Sequence, residues 1–130
     1  KNWATPIGQV GWGRSFGIYG ENGELLGEAE LFHRHPLESS LHRVELGMGL
    51  TQSIHNLGWG TKLLTQAIDW CAGQSFLRWI DLGVFASNSA AIHLYLKLGF
   101  VEQGRTPDAF RVFGQQIEDL RMSLDLDSRR

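Results

Sequence analysis

Near the middle of the sequence, His55-Asn56-Leu57-Gly58-Trp59-Gly60-Thr61-Lys62 sets two glycines around one bulky residue, just before a run of apolar residues at helical spacing. Glycine lets a backbone approach a ligand closely, and the first turn of a helix carries N–H groups with no partner inside the helix. Backed by the positive end of the helix dipole, such donors suit an anion, and a diphosphate in particular. A tight turn into a helix, with no ligand, would use the same residues. Two familiar diphosphate motifs fail here. A P-loop needs Gly-Lys followed by Ser or Thr, but the order is Gly60-Thr61-Lys62, with no glycine five residues before Gly60. A dinucleotide fingerprint needs Gly or Ala where Leu63 stands. His33, His35 and His42 raise metal binding, and a strand would put His33 and His35 on one face. No cysteine or ordered carboxylate completes a ligand set, so no metal is expected.

The elements that must position this loop follow from periodicity. Residues 15–35 read as two strands around Glu21-Asn22-Gly23, where Asn-Gly is a hairpin signal. In the third strand, "HRVELGMGLT", Val44, Leu46, Met48 and Leu50 share one face, while Glu45, Gly47 and Gly49 leave the other nearly bare. Leu63, Leu64, Ala67, Ile68 and Cys71 then recur as a helix that Gly73 can end. "WIDLGVFA" is apolar enough for a central strand, and Ser87 or Asn88 caps a second helix that ends at Gly99. Residues 100–103 and 115–124 read as a closing strand pair. The whole is a single mixed α/β domain over residues 1–130.

With these elements in order, the chain resembles the GNAT superfamily of acetyl-CoA-dependent N-acetyltransferases. The resemblance rests on the strand carrying Glu45, the x-x-Gly-x-Gly helix start, and "NSAAIHLYLKLGF", where Asn88, Ala91, Tyr95, Gly99 and Phe100 match the family's second segment. It covers about residues 15–124, and the tail "EDLRMSLDL" looks like the ribosomal-protein and small-amine branches. It implies a mostly antiparallel mixed sheet flanked by helices, and acetyl-CoA as co-substrate. It also implies coenzyme contacts at Gly49, Leu50, Thr51, His55, Asn56, Leu57, Gly58, Trp59, Gly60, Thr61 and Asn88. His55 stands where the family has Arg or Gln and brings fewer donors, so pyrophosphate binding leans on the amides from Leu57 to Thr61 and on Lys62. On this reading a bulky residue at Gly60 blocks the coenzyme.

Acetyl transfer to an amine needs a deprotonated amine, a donor for the oxyanion and a proton for the departing thiolate. By resemblance, Tyr95 is the candidate acid and Glu45 the candidate base, acting through water. Backbone groups near Gly49 to Thr51 would hold the acetyl carbonyl. No Ser or Cys nucleophile is required, and Cys71 reads as a core residue. Asp119 and Arg121 alternate with apolar positions and read as solvent-facing.

Composition narrows the partners. Of 130 residues, 42% are apolar and 20% charged, and the net charge of −2 gives no case for nucleic acid or an anionic membrane. No apolar run approaches a membrane span and no signal peptide is visible. A single cysteine fits a reducing compartment, so the cytoplasm is expected. The rival to an enzyme is a catalytically weak coenzyme A-binding or regulatory domain. The family's usual N-terminal strand and two helices look absent or shortened, since Pro6, Gly8, Gly11 and Gly13 oppose a helix. An uncovered apolar sheet face would then favour a homodimer that closes the acceptor side.

Overall fold

The structure is a computed structural model that describes residues 4–130. Its elements run β1 (Gly13–Tyr19), β2 (Leu25–Phe32), β3 (Arg43–Leu50), α1 (Trp59–Ala72), β4 (Trp79–Phe85), α2 (Ser89–Lys97), β5 (Val101–Val112) and β6 (Gln115–Asp125), with single 3-10 turns at Glu38–Ser40, Gln52–Ile54 and Leu126–Arg129. One sheet has the order β1-β2-β3-β4-β6-β5, antiparallel throughout except for β3 beside β4. That exception follows from connectivity. Helix α1 crosses from the end of β3 back to the start of β4, which a parallel pair requires. The mixed, mostly antiparallel sheet with helices is the fold expected from the sequence.

Register sorts the side chains by face. Phe16, Ala29 and Met48 lie in one cross-strand row and Leu31 with Leu46 in the next, continued on β4 and β6 by Ile80, Leu82, Val84, Leu120, Met122 and Leu124. This face meets Leu63, Leu64, Ala67, Ile68 and Cys71 of α1 together with Tyr95 and Phe100 in a single core. Both helices therefore pack on the same side. The α1 stripe matches the one read from the sequence, as do the start of α1, the Asn88 cap on the Ala91 N–H (3.2 Å) and the positive φ of Gly99. On α2, Ala91, Ile92 and Tyr95 face the core as their spacing suggests, but Leu96 is exposed and Leu94 packs inward. Trp12, which the sequence reading left unassigned, is fully buried there against Trp70 and Phe76. Residues 4–12 otherwise hold turns and no helix.

Three expectations change. The closing strand pair is longer than residues 100–103 and 115–124 allow. β5 runs twelve residues, and Thr106-Pro107-Asp108, which looks like a turn, is absorbed by a break in register between Thr106 and Phe110, with Asp108 at φ 49°. A bulge tolerates the proline that a regular ladder rejects. His33 and His35 lie beyond the end of β2 and share no strand face. The second sheet face, which no helix among the described residues covers, is not wholly apolar. By the same alternation it mixes Ser15, Gly17, Glu28, Glu30, Glu45, Asp81, Asp119 and Arg121 with the aromatic Phe32, Trp79 and Phe85, and Phe110 of β5 packs on Phe85. The uncovered face is therefore mixed, with its exposed apolar residues, Phe85, Val101 and Phe110, toward the β5 edge.

Candidate active site

The β3/β4 ladder holds only three residue pairs, Arg43↔Trp79, Val44↔Ile80 and Glu45↔Asp81. Beyond them β3 continues to Leu50 and β4 to Phe85 without pairing to each other, so the two strands splay. The wedge is a groove of about 540 Å³ walled by residues 46–50 of β3 and 83–85 of β4, and closed by the starts of α1 and α2. Splaying leaves backbone N–H and C=O groups of β3 without ladder partners. Groups of that kind, when not solvated, demand a ligand.

The two glycines at the mouth of α1 do different work. Gly58 is the N-cap at φ 82°, a left-handed conformation that side chains resist, and a Cβ there would meet open space. Gly60 has ordinary backbone angles. A Cβ there would lie 3.3 Å from Leu50 Cδ1, 3.7 Å from Met48 Cε and 3.8 Å from Leu94 Cδ2. So Gly60 is kept small by three side chains that themselves line the groove, while the space beside Gly58 is open. No side chain caps α1, and its first intrahelical bond is Lys62 N–H to Gly58 C=O at 3.2 Å. The N–H groups of Trp59, Gly60 and Thr61 are thus left over at an uncapped helix start, which is an anion site by geometry. Lys62 Nζ rests 4.8 Å from the Trp59 ring centroid, at the rim.

His55 has one ring nitrogen already engaged. Its Nε2 lies 3.0 Å from Leu50 C=O, and because a carbonyl only accepts, Nε2 carries the proton. Of the residues singled out by sequence, Gly49, Leu50, His55, Asn56, Gly58, Gly60, Thr61, Asn88 and Tyr95 line this one groove. Thr51, Leu57 and Trp59 flank it, with Leu57 largely exposed. Tyr95 comes from the buried side of α2, edge-on to Phe100, and burial pushes its phenol above the usual range. A phenol held neutral is a proton donor. Cys71 is fully buried and its thiol is pushed up to about 12, consistent with a core residue and inconsistent with a nucleophile.

Glu45 is not in that groove. It points to the opposite, polar face, beside a small pocket lined by Arg34, Arg43, Asp81 and Arg121. Arg121 Nη2 donates to its Oε1 at 2.7 Å, and Arg34 Nη1 lies 3.5 Å from the same oxygen. One rung below, Arg43 grips Asp81 with two bonds of 2.8 and 2.6 Å, and Ser123 donates to Asp81 as well. Burial pushes the Asp81 carboxyl up, but those hydrogen bonds and the Arg43 and Arg121 charges outweigh it and hold the group below the usual carboxylate range. Arg121 and Asp81 were missed as site residues. Only the insertion of β6 beside β4 brings Arg121 here, and no local pattern announces that strand order. His33, once a metal candidate, is buried and structural. Its Nδ1 accepts from Gly11 N–H at 3.0 Å and its Nε2 faces Ser40 Oγ at 2.7 Å. Burial and then the His35 charge lower it, against a smaller opposing contact with Leu37.

Comparison with known proteins agrees with this geometry. Residues 6–100 match the acetyltransferase (GNAT) family. The chain is 30% identical over 109 residues to the L-amino acid N-acyltransferase MnaT of Escherichia coli, covering 84% of this chain and 63% of that protein. It is likewise 30% identical over 108 residues to the L-methionine sulfoximine/L-methionine sulfone acetyltransferase of Pseudomonas aeruginosa, covering 83% and 62%. The spermidine/spermine N-acetyltransferase SpeG of Vibrio cholerae superimposes with a TM-score of 0.77 at 25% identity, over 90% of this chain and 67% of that one. The chain spans a little under two thirds of the length of these two curated relatives.

Proposed function

Because this chain belongs to the acetyltransferase (GNAT) family, we propose that it moves the acetyl group of acetyl-CoA directly to an amine, with the coenzyme in the β3/β4 wedge. The observation that carries the reading is that the splayed ladder and the uncapped start of α1 open into one groove. The pyrophosphate would take the free N–H groups of Trp59, Gly60 and Thr61. The pantetheine would run along the unpaired edge of β3, and the thioester would lie near Tyr95. An amine entering from the polar face attacks the carbonyl carbon as a β3 N–H takes the developing oxyanion. The C–S bond breaks as the phenol of Tyr95 protonates the sulfur, and the amine's own proton leaves through water.

An acceptor of the amino-acid class is favoured by the two curated relatives, which are named for amino acids and their analogues. Following free thiol with acetyl-CoA against a panel of L-amino acids and polyamines tests both points. Thiol release with an amino acid is the expected result. Coenzyme binding by calorimetry without turnover on any amine would favour a weak binding domain instead. A cytoplasmic location is part of the proposal, and cell fractionation checks it. A homodimer is also part of the proposal, with the exposed Val101, Phe110 and Phe113 of the β5 edge and hairpin as its contact, and sedimentation equilibrium tests that.

A further inference from the structure

Arg121 belongs to β6, Glu45 to β3, and β4 lies between them. Arg121 faces Gly83 of β4 in the register, and a Cβ on Gly83 would stand 2.7 Å from Arg121 Nη1 and 2.9 Å from Asp119 Oδ1. The guanidinium therefore lies flat across β4 and reaches Glu45, over a position that only glycine leaves clear. Glu45 is also the last residue of β3 to pair with β4. The ion pair thus bridges three strands at the point where the ladder ends and the groove begins. Arg43, Asp81 and Ser123 make a second three-strand crossing one rung below, on the paired side.

Resting on the acetyl-transfer reading above, we propose that Arg121 is a positioning residue whose ion pair with Glu45 straps β3 to β6 across β4 and fixes the opening of the wedge, Glu45 being its anchor and not a base. The physical need is clear. Past Glu45 no backbone bond sets the spacing of β3 and β4, yet the two strands must hold a thioester to within a fraction of an ångström. Misplacement by about 1 Å can cost about 10²-fold in rate. Both side chains are shielded (29% exposed for Arg121 and 11% for Glu45), so solvent screens the pair little. Arg34 touches the same carboxylate oxygen but is half exposed and comes from the segment after β2, so it crosses nothing.

A base and an anchor respond differently to the same substitutions. The set is Glu45→Gln, Arg121→Met, their double mutant, Gly83→Ala and Arg34→Ala, each compared by kcat, KM for acetyl-CoA, pH–rate profile and amide hydrogen exchange. As a strap, Glu45→Gln, Arg121→Met and Gly83→Ala each lower kcat by a similar factor, about 10²-fold. The double mutant falls no further than the worse single, the mark of one shared interaction. The acidic limb of the profile stays in place, KM for acetyl-CoA moves less than about threefold, and Arg34→Ala stays within about threefold of the parent. Gly83→Ala is the decisive member, because its methyl displaces a flexible guanidinium without removing a charge. Exchange at 46–50 and 82–85 rises in the three strap variants and not in Arg34→Ala. The proposal is overturned if Glu45→Gln abolishes the acidic limb while Arg121→Met keeps full rate, or if exchange at the wedge is unchanged in Arg121→Met and Gly83→Ala. Should no amine be acetylated at all, the proposed function fails, and the exchange data still decide the strap.

Discussion

The two ends of the groove are built from different materials. At the α1 end every feature is backbone: a left-handed Gly58, a helix start without a side-chain cap, and free N–H groups at Trp59, Gly60 and Thr61. At the other end side chains do the work, with Tyr95 inside the wedge and the Arg121–Glu45 crossing at its mouth. Backbone donors recognise a phosphate by charge and shape and tolerate variation around them, whereas a reacting carbonyl needs particular atoms in particular places. Changes at the first end should therefore move affinity, and changes at the second should move rate.

The largest effect expected is at the side-chain end. Tyr95→Phe removes one hydroxyl and keeps the ring against Phe100, so the core loses little. If the phenol protonates the sulfur, kcat should drop about 10²- to 10⁴-fold while the acetyl-CoA Kd stays within about twofold. Stopped assays at saturating acetyl-CoA, paired with calorimetry, give both numbers. An unchanged kcat would reduce Tyr95 to packing. The mirror image is Gly58→Val. A β-branched residue at φ 82° is strained, and its side chain would occupy the open space beside the free N–H groups. The Kd should rise about 10- to 100-fold, with kcat at saturation nearly unchanged. Loss of kcat at constant Kd would reverse the assignment of the two ends.

The same contrast explains what was legible in the sequence. Glycine spacing, the helical stripe from Leu63 to Cys71 and the Asn88 cap are local signals, so the α1 end and both helices could be read directly. The Arg121–Glu45 crossing depends on β6 lying between β4 and β5, and its partners are 76 residues apart. Alternation put Arg121 on the polar face, and nothing in residues 119–125 says which strand lies beside it. Trp12 was illegible for a related reason: it belongs to no element, and only the finished core gives it a place. β5 was cut short because its outer half pairs with β6 only across a register break between Thr106 and Phe110, which no alternation along the chain announces.

A smaller effect lies outside both ends. Because His33 has its pKa lowered in the fold, the unfolded chain binds the extra proton first as pH falls. The stability this histidine confers is complete above its unfolded value of about 6.5 and is lost as pH drops through the lower folded value. Protonation would also turn Nδ1 from an acceptor into a donor facing the Gly11 N–H. Thermal melts from pH 7.5 to pH 5 should fall more steeply in the parent than in His33→Asn, by about 3–5 °C per kcal/mol at this chain length. Equal slopes would assign the acid sensitivity to other groups. Initial rates at saturating substrate, corrected for the folded fraction, should follow the same pH curve in both proteins, since the two ring nitrogens of His33 bond Gly11 and Ser40 and neither bond involves Tyr95, Glu45 or Arg121.

The smallest expected effect is Gly60→Ala, and it bears most directly on the claim that one end is backbone alone. Replacing glycine by alanine inside a helix is worth about 0.8–1.0 kcal/mol in propensity. Against this stands the 3.3 Å approach to Leu50 Cδ1, which needs a shift of a few tenths of an ångström, while Met48 and Leu94 are at ordinary contact distance. The two terms oppose each other at similar size, so stability should change by less than about 1 kcal/mol. The new methyl points at Leu50, Met48 and Leu94 and leaves the Gly60 N–H and its neighbours free to meet an anion, so the acetyl-CoA Kd should change less than about twofold. Measured beside Gly58→Ala, which bears about 1–2 kcal/mol of left-handed strain, the pair separates two glycines that look equivalent in sequence. A large loss of affinity in Gly60→Ala with the melting temperature intact would mean that the coenzyme meets this residue's side-chain direction. The cradle would then have to be redrawn around the Leu50 wall.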